Sequence, residues 1–271
     1  MNELWLGDDQ NSKDRKTLSI HQANRLARSV GSLTLTEQRL FDYCVTFIKK
    51  HDKQNQVYST SVQEIVETLG IEKGGMSYKQ VIKAVNSLES KTGMWLPIID
   101  PNSGARGVMK IRVLQSPQIF ENGIVKFQFH PDIEEHLFNL TKEFYAIPFS
   151  ELIRYKNPRT ITLLKLWKAQ EGLNRAHGIT PGIVRIKGTF DEFKVWFLGG
   201  EIAENEERNR AWPAGKFKQR VLDKVINEFR EKNPTKTIDL TIFRKGKGNK
   251  VIGYEFIIID KQYKAYIEKN R

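Results

Sequence analysis

Residues 212–230 carry the clearest helical period in the chain. Phe217, Val221, Leu222, Val225, Ile226 and Phe229 recur at helical spacing and form one apolar stripe. Advancing by about 100° per residue, the opposite face collects Lys216, Arg220, Asp223 and Asn227, with Gln219 and Arg230 on one flank and Lys224 a turn beyond Arg220. Pro213 suits the first turn of such a helix, where its missing N–H costs nothing. The result is a packed back and a front of long, forked hydrogen-bonding side chains. A solvated amphipathic helix has the same pattern, so its meaning depends on the rest of the chain.

Residues 1–19 are polar, charged and aperiodic and predict a mobile arm. A short helical or extended lead-in over 20–28 carries Arg25 and Arg28, and a helix over 35–48 has Thr36 as its expected N-cap. Residues 57–60 predict a strand. Ser61 then caps a second helix, with Glu64 completing a capping box and Gly70 ending it. In a third helix, 77–88, Tyr78, Val81, Ile82, Val85 and Leu88 face inward, while Lys79, Gln80, Lys83 and Ser87 face out. Strands follow at 94–99, 108–115 and 124–130, with Arg106 in the loop 100–107. A helix over 131–140 closes this half, and residues 144–149 then look extended.

The order then begins again. Residues 150–170 read as helical with an interruption before Pro158. A strand at 184–189, a helix at 190–198 stopped by Gly199 and Gly200, and a polar loop at 201–210 lead to the helix described first. Strands at 237–243 and 251–259 then flank a basic loop containing Arg244, Lys245, Lys247 and Lys250. Both third helices open alike, Tyr78-Lys-Gln and Phe217-Lys-Gln, with a one-residue slip before the next apolar positions. Helix-turn-helix followed by a hairpin is the order of a winged helix. The expected fold is therefore α+β: two tandem winged-helix domains at 20–140 and 141–260, between the arm and a basic tail at 261–271.

Composition narrows the partner. The 271 residues carry a net charge of +12, a pI near 9.6 and a mean hydropathy of −0.50, which favours a polyanion, either nucleic acid or an anionic membrane surface. No apolar run approaches a membrane span, and the first residues lack the pattern of a signal peptide. Cys44, the one cysteine, excludes an internal disulfide and a cysteine zinc cluster and fits a cytoplasmic protein. Long Arg, Asn and Gln side chains on an exposed helix suit guanine and adenine in a major groove.

Enzyme chemistry lacks its residues. A rolling-circle nicking enzyme wants two histidines one residue apart on a strand, and His21, His51, His130, His136 and His177 are not so spaced. Gly246-Lys-Gly248 lacks the earlier glycine of a phosphate loop. The expectation is a non-enzyme with no metal and no cofactor. A winged-helix transcriptional regulator remains as the alternative, although a dimeric repressor needs only one DNA-reading unit per chain and this sequence carries two.

From about Ile20 to Asp260 the sequence resembles the iteron-binding replication initiators of theta-replicating bacterial plasmids. The resemblance lies in Asn24-Arg-Leu with Leu33-Thr-Leu-Thr-Glu-Gln-Arg-Leu40, and in Tyr155-Lys-Asn-Pro-Arg-Thr with Leu163-Leu-Lys-Leu-Trp167. It lies also in Phe190-Asp-Glu-Phe-Lys with Phe217-Lys-Gln-Arg-Val-Leu and Ile226-Asn-Glu228. It implies a protein that binds origin repeats, opens the adjacent duplex, recruits the host initiator and helicase, and represses its own promoter as a dimer. By similarity Lys216, Gln219, Arg220, Asp223 and Asn227 read bases in the second domain. Lys79, Gln80 and Lys83 hold an adjacent half-site, chiefly through phosphates, in a first domain that also dimerises. Lys224, Ser87, Arg106 and the basic loop complete the expected DNA-binding set.

Overall fold

In the computed structural model, which describes residues 14–72, 74–90, 94–179, 182–263 and 265 and the side chains of all these but 97, 99, 106 and 203, Thr34 rather than Thr36 caps the first long helix, α1 (Leu35–Val45). The Thr34 hydroxyl accepts from the Glu37 N–H, and the Glu37 carboxylate accepts from the Thr34 N–H. Such reciprocal caps contribute about 1 kcal/mol. Thr36 instead accepts a hydrogen bond from Gln80. The chain divides into two units, one of residues up to Leu26 with Leu33–Arg154, the other of Ala27–Ser32 with Tyr155–Arg271.

In the first unit, β1 (Ser19–Ala23) precedes α1. After it come β2 (Tyr58–Ser61), α2 (Val62–Leu69), α3 (Gly75–Ser90), β3 (Met94–Ile99), β4 (Arg106–Ile111), β5 (Leu114–Ile119), β6 (Ile124–Phe129), α4 (Pro131–Glu134), β7 (Phe144–Pro148) and α5 (Phe149–Leu152). The sheet order is β2-β6-β5, antiparallel, with Tyr58 opposite Phe127. Its inner face packs Phe47, Tyr58, Phe127 and Phe129 largely edge to face, an arrangement that aromatic quadrupoles favour. Gly70 ends α2 in the left-handed conformation expected of it (φ 65°).

Four sequence expectations change in this unit. The first concerns the arm. From Asp14 onward it is packed: the Arg15 guanidinium lies 3.3 Å from the Phe47 ring centroid and 3.1 Å from the Glu64 carboxylate. Residues 1–13 lie outside the described residues. Glu64 thereby leaves the capping box half made, with only the Ser61 hydroxyl capping α2.

Second, the expected strand 108–115 is two strands belonging to different sheets. β4 pairs with β3, while β5 pairs with β6. The break falls at Val113, whose N–H donates to the Leu88 carbonyl at 3.3 Å and whose carbonyl accepts from His130 N–H at 2.9 Å. The loop 100–107 is therefore the tip of an extra hairpin inserted before the wing. Third, the helix 131–140 shrinks to one turn, and Asn139 turns the chain left-handed (φ 51°).

Last, the unit ends at Arg154 and not at residue 140. β7 pairs with β1, and the Tyr145 hydroxyl donates to Gln22, whose amide donates to Asp42 at 3.0 Å, all three side chains being buried. Residues 144–152 thus complete the first core.

The second unit runs α6 (Pro158–Ala176), β8 (Ile183–Thr189), α7 (Phe190–Leu198), α8 (Glu201–Glu204), α9 (Glu206–Arg210), α10 (Ala214–Phe217), α11 (Asp223–Lys232), β9 (Lys236–Lys245) and β10 (Lys250–Asp260). Asn157 caps α6 and Pro158 opens it, at the interruption the sequence pattern places before Pro158. The sheet order, β8-β10-β9, repeats that of the first unit: the strand before the helix pair lies beside the last wing strand. The expected polar loop 201–210 is instead two short helices, braced by Arg208 to Glu201 at 2.7 Å and Arg210 to Glu206 at 2.5 Å. Pro213 is the N-cap of the following helix rather than its first residue. Of the expected tail, Lys261–Tyr263 continue in a helical turn, while residues 264 and 266–271 lie outside the described residues.

Phe193, Phe197, Phe217, Phe229 and Phe256 are fully buried at the centre of this unit, and Trp167 meets Phe229 edge-on at 5.5 Å. Ala27–Ser32 packs against α7. Arg28 lies over the Trp196 ring at 5.4 Å, and a Cβ on Gly31 would fall 2.3 Å from the Trp196 carbonyl oxygen. Only glycine fits there. Among the described residues no helix is long and apolar enough to cross a membrane.

Candidate nucleic-acid interface

From Ala214 to Lys232 the backbone is one continuous helical run whose back is Phe217, Val221, Leu222, Val225, Ile226 and Phe229, all buried. The apolar stripe is therefore where the period puts it. On the front, Gln219, Arg220, Lys224 and Asn227 are exposed, and none has a hydrogen-bond or ion-pair partner among the described residues. These four offer amide, guanidinium and ammonium groups with no internal use among the described residues.

The other two expected readers are engaged. Lys216 donates to the Ala211 carbonyl at 2.7 Å and lies over the Trp212 ring at 5.1 Å. The Asp223 carboxylate accepts from Lys218 at 2.7 and 3.0 Å. Neither pairing was legible in the helical period, since the first partner precedes the helix and the second lies five residues away. Arg230 donates to the Ile238 carbonyl at 2.7 Å.

The hairpin of β9 and β10 carries every residue of the basic loop in the open. Gly246 (φ 80°) and Asn249 (φ 51°) make the left-handed turn, and the Arg244 guanidinium donates to the Asn249 carbonyl at 3.1 Å. Lys245, Lys247 and Lys250 are exposed around it, so the tip is a compact cationic knob. The equivalent tip in the first unit, between β5 and β6, is Phe120-Glu-Asn-Gly123 and carries no Lys or Arg.

The outer face of α3 holds Lys79 and Lys83, both exposed. Gln80 is also exposed, but its amide donates to the Thr36 hydroxyl at 2.9 Å. Ser87, half-exposed on the same side, has its hydroxyl hydrogen-bonded to the Glu37 carboxylate. Arg106 stands at the start of β4 in the inserted hairpin, away from the wing strands, and its side chain lies outside the described residues. Tyr78, expected inside, is 41% exposed beside Lys79. The first core residue of α3 is Val81, and Tyr78 precedes it by nearly a full turn on the open side. Tyr78 and exposed Asn86 join the surface to which sequence reasoning assigns Lys79, Gln80, Lys83 and Ser87.

Other reactive groups are put to structural use. Cys44 is buried among apolar neighbours, which pushes its thiol well above its ordinary range. His130 caps α4, its Nδ1 accepting from the Asp132 N–H at 3.1 Å. Burial holds the imidazoles of His21 and His136 below their ordinary pKa. Among the described residues no group of three His, Cys, Asp or Glu side chains could hold a metal ion.

The family profile described as initiator replication protein, WH1, matches residues 19–168, and that described as initiator Rep protein, WH2, matches residues 189–258. Among solved structures the chain is similar to a Pi initiator protein crystallised in complex with iteron DNA. That match has 15% identity, covers 90% of this chain and 98% of that chain, and has a TM-score of 0.63. Two structures of domains 2 and 3 of RctB align at 13% and 16% identity, with TM-scores of 0.41 and 0.38. They cover 85% and 83% of this chain and 83% and 80% of theirs. Curated protein sequences gave no match. The two profiles span both helix-turn-helix units and both wings, and the fold is that of two tandem winged helices. The chain belongs to the initiator replication protein (Rep) family.

Proposed function

We infer that the protein binds repeated double-stranded DNA sites (iterons) at a plasmid origin and acts there as the replication initiator, with no catalytic step of its own. The observation that carries this is the row of Gln219, Arg220, Lys224 and Asn227, exposed and unengaged among the described residues on a helix whose back is wholly buried. Arg pairs bidentately with guanine, and Asn or Gln with adenine, when such a helix enters a major groove. The cationic hairpin tip gives the same unit a grip on phosphate, and the net charge of +12 supports the polyanion throughout. The fold shared with an initiator whose structure includes iteron DNA supports the class of partner.

In this reading the second unit supplies sequence recognition and the first holds an adjacent half-site. The duplex beside the repeats opens, and host initiator and helicase are recruited there, in the cytoplasm of a bacterium carrying the plasmid. A monomer–dimer equilibrium of the first unit lets the dimer repress the protein's own promoter. The test is a gel shift on duplexes holding the direct repeats near the coding region, paired with a probe for unpaired bases in the adjoining segment. Binding with preference over a scrambled duplex, together with strand opening, is expected. Equal binding to both duplexes would overturn sequence recognition, and preference without opening would leave a regulator.

A further inference from the structure

The helix with the exposed polar row contains a turn that its apolar stripe does not require. Over Lys218–Leu222 the backbone is π-helical, and the Asp223 N–H donates to the Lys218 carbonyl, five residues back. An α-helix bonds four residues back, so this turn holds one residue more. The first unit provides the comparison. Its α3 is α-helical through all 16 residues, and there Tyr78 precedes the first buried residue, Val81, by three positions. In the second unit Phe217 precedes Val221 by four. Tyr78 is exposed and Phe217 fully buried, so that spacing difference reflects the faces of the two aromatics, and the π turn stands on its backbone hydrogen bond.

The side chains of the same two residues meet as well. Lys218 Nζ donates to both carboxylate oxygens of Asp223, at 2.7 and 3.0 Å. In a regular α-helix, residues five apart stand about 140° apart around the axis and do not meet. The widened turn brings them to one side, and the ion pair spans it. Gln219 and Arg220 lie inside the spanned segment, both exposed, while Lys224 and Asn227 follow in α-helical phase beyond it.

We propose that Lys218 and Asp223 are positioning residues for DNA recognition: their ion pair holds the π turn, which sets Gln219 and Arg220 in phase with Lys224 and Asn227. Asp223 then touches no base, contrary to its sequence-based assignment. The proposal rests on this helix reading DNA. Both side chains are about two-fifths exposed, 41% and 38%, so the pair contributes little to stability and its effect separates from folding.

The experiment titrates the full-length wild-type chain, Lys218→Ala, Asp223→Ala and the charge-exchanged Lys218→Asp/Asp223→Lys against an iteron duplex and a scrambled duplex at one salt concentration. Each single variant is expected to lose about tenfold in the ratio of the two affinities, the worth of one displaced base reader. The exchanged pair, which keeps the net charge, is expected to regain most of it. Melting temperatures are expected to stay near wild type; if Asp223→Ala melts early, the isosteric Asp223→Asn carries the test. An unchanged ratio in Asp223→Ala overturns the proposal. So does a loss confined to one base pair in a set of single-base-substituted duplexes, which would make Asp223 a direct reader. A wild-type chain with no preference for the iteron duplex removes the DNA reading itself, and the proposal with it.

Discussion

The carboxylate of Glu228, on α11, accepts hydrogen bonds from the backbone N–H groups of Lys156 at 2.6 Å and Asn157 at 3.2 Å. α11 thereby supplies an acceptor to donors ahead of α6, which that helix cannot satisfy itself. Glu228 is one residue from the exposed Asn227 in sequence, but its carboxylate is engaged within the fold. Glu228→Ala is expected to cost about 1–2 kcal/mol, the scale of a lost charged cap. Specific and scrambled DNA should still be distinguished as in wild type. Calorimetric melting with paired titrations checks this; lost discrimination at an unchanged melting temperature would make Glu228 a DNA contact.

Arg220 stands at the middle of the exposed row, and a bidentate contact to guanine is worth about 1–3 kcal/mol of discrimination. Arg220→Ala should weaken iteron binding by roughly one to two powers of ten and leave scrambled DNA almost unaffected. Lys83→Ala, on the first unit's helix, should weaken both duplexes by one smaller factor. Equal losses for Arg220→Ala on both duplexes would assign its contact to phosphate.

Salt isolates the hairpin tip. Each phosphate contact adds about 0.9 to the slope of log affinity against log salt. Lys245→Ala/Lys247→Ala should therefore flatten the slope by about two contacts' worth while the ratio of specific to scrambled binding holds. Titrations between low and moderate salt decide this, and an unchanged slope takes the tip out of the interface.

Acid should weaken the first unit. Burial holds His21 below the ordinary histidine value of 6.5, and burial chiefly does the same for His136, with Arg25 adding to it and Glu135 opposing. Below pH 6.5 the unfolded chain binds protons that the folded chain refuses. The stability these groups confer is complete above that value and is lost as pH falls toward their folded pKa values. Within the window each histidine costs about 1.4 kcal/mol per pH unit. Melting at pH 7.5 and 5.5 should show the decline, and His21→Phe should reduce it; an undiminished decline would place the titration elsewhere.

Much of this architecture is visible in the sequence because single residues enforce it. Pro158 starts a helix, Gly70 stops one, and Phe217 to Phe229 must turn one face inward. Long-range pairing is what stays hidden. Ser87 lies on the outer side of α3 by period, but its partner Glu37 is 50 residues away. The break between β4 and β5 comes from Leu88 and His130 bonding to Val113, with no glycine or proline to announce it. For the same reason Arg106, expected in the loop 100–107, begins β4 of the inserted hairpin instead. The π turn left no trace in the apolar stripe, because Phe217, Val221, Leu222, Val225, Ile226 and Phe229 keep the spacing of a regular α-helix.

Ala27–Ser32 belongs to the second unit although the residues on either side of it belong to the first. On the ribosome this segment emerges before most of the first unit, and Trp196, which its Gly31 adjoins, emerges only after all of it. The first unit therefore closes around a loop whose own site does not yet exist, and the second is finished by a piece made long before it. No single cut frees the second unit whole. A gene begun at Tyr155 would encode all of its helices and its wing, yet leave the turn from Trp196 to Gly199 without Gly31 and Ser32 against it. The two units cannot be inherited separately without cost, though they share one plan.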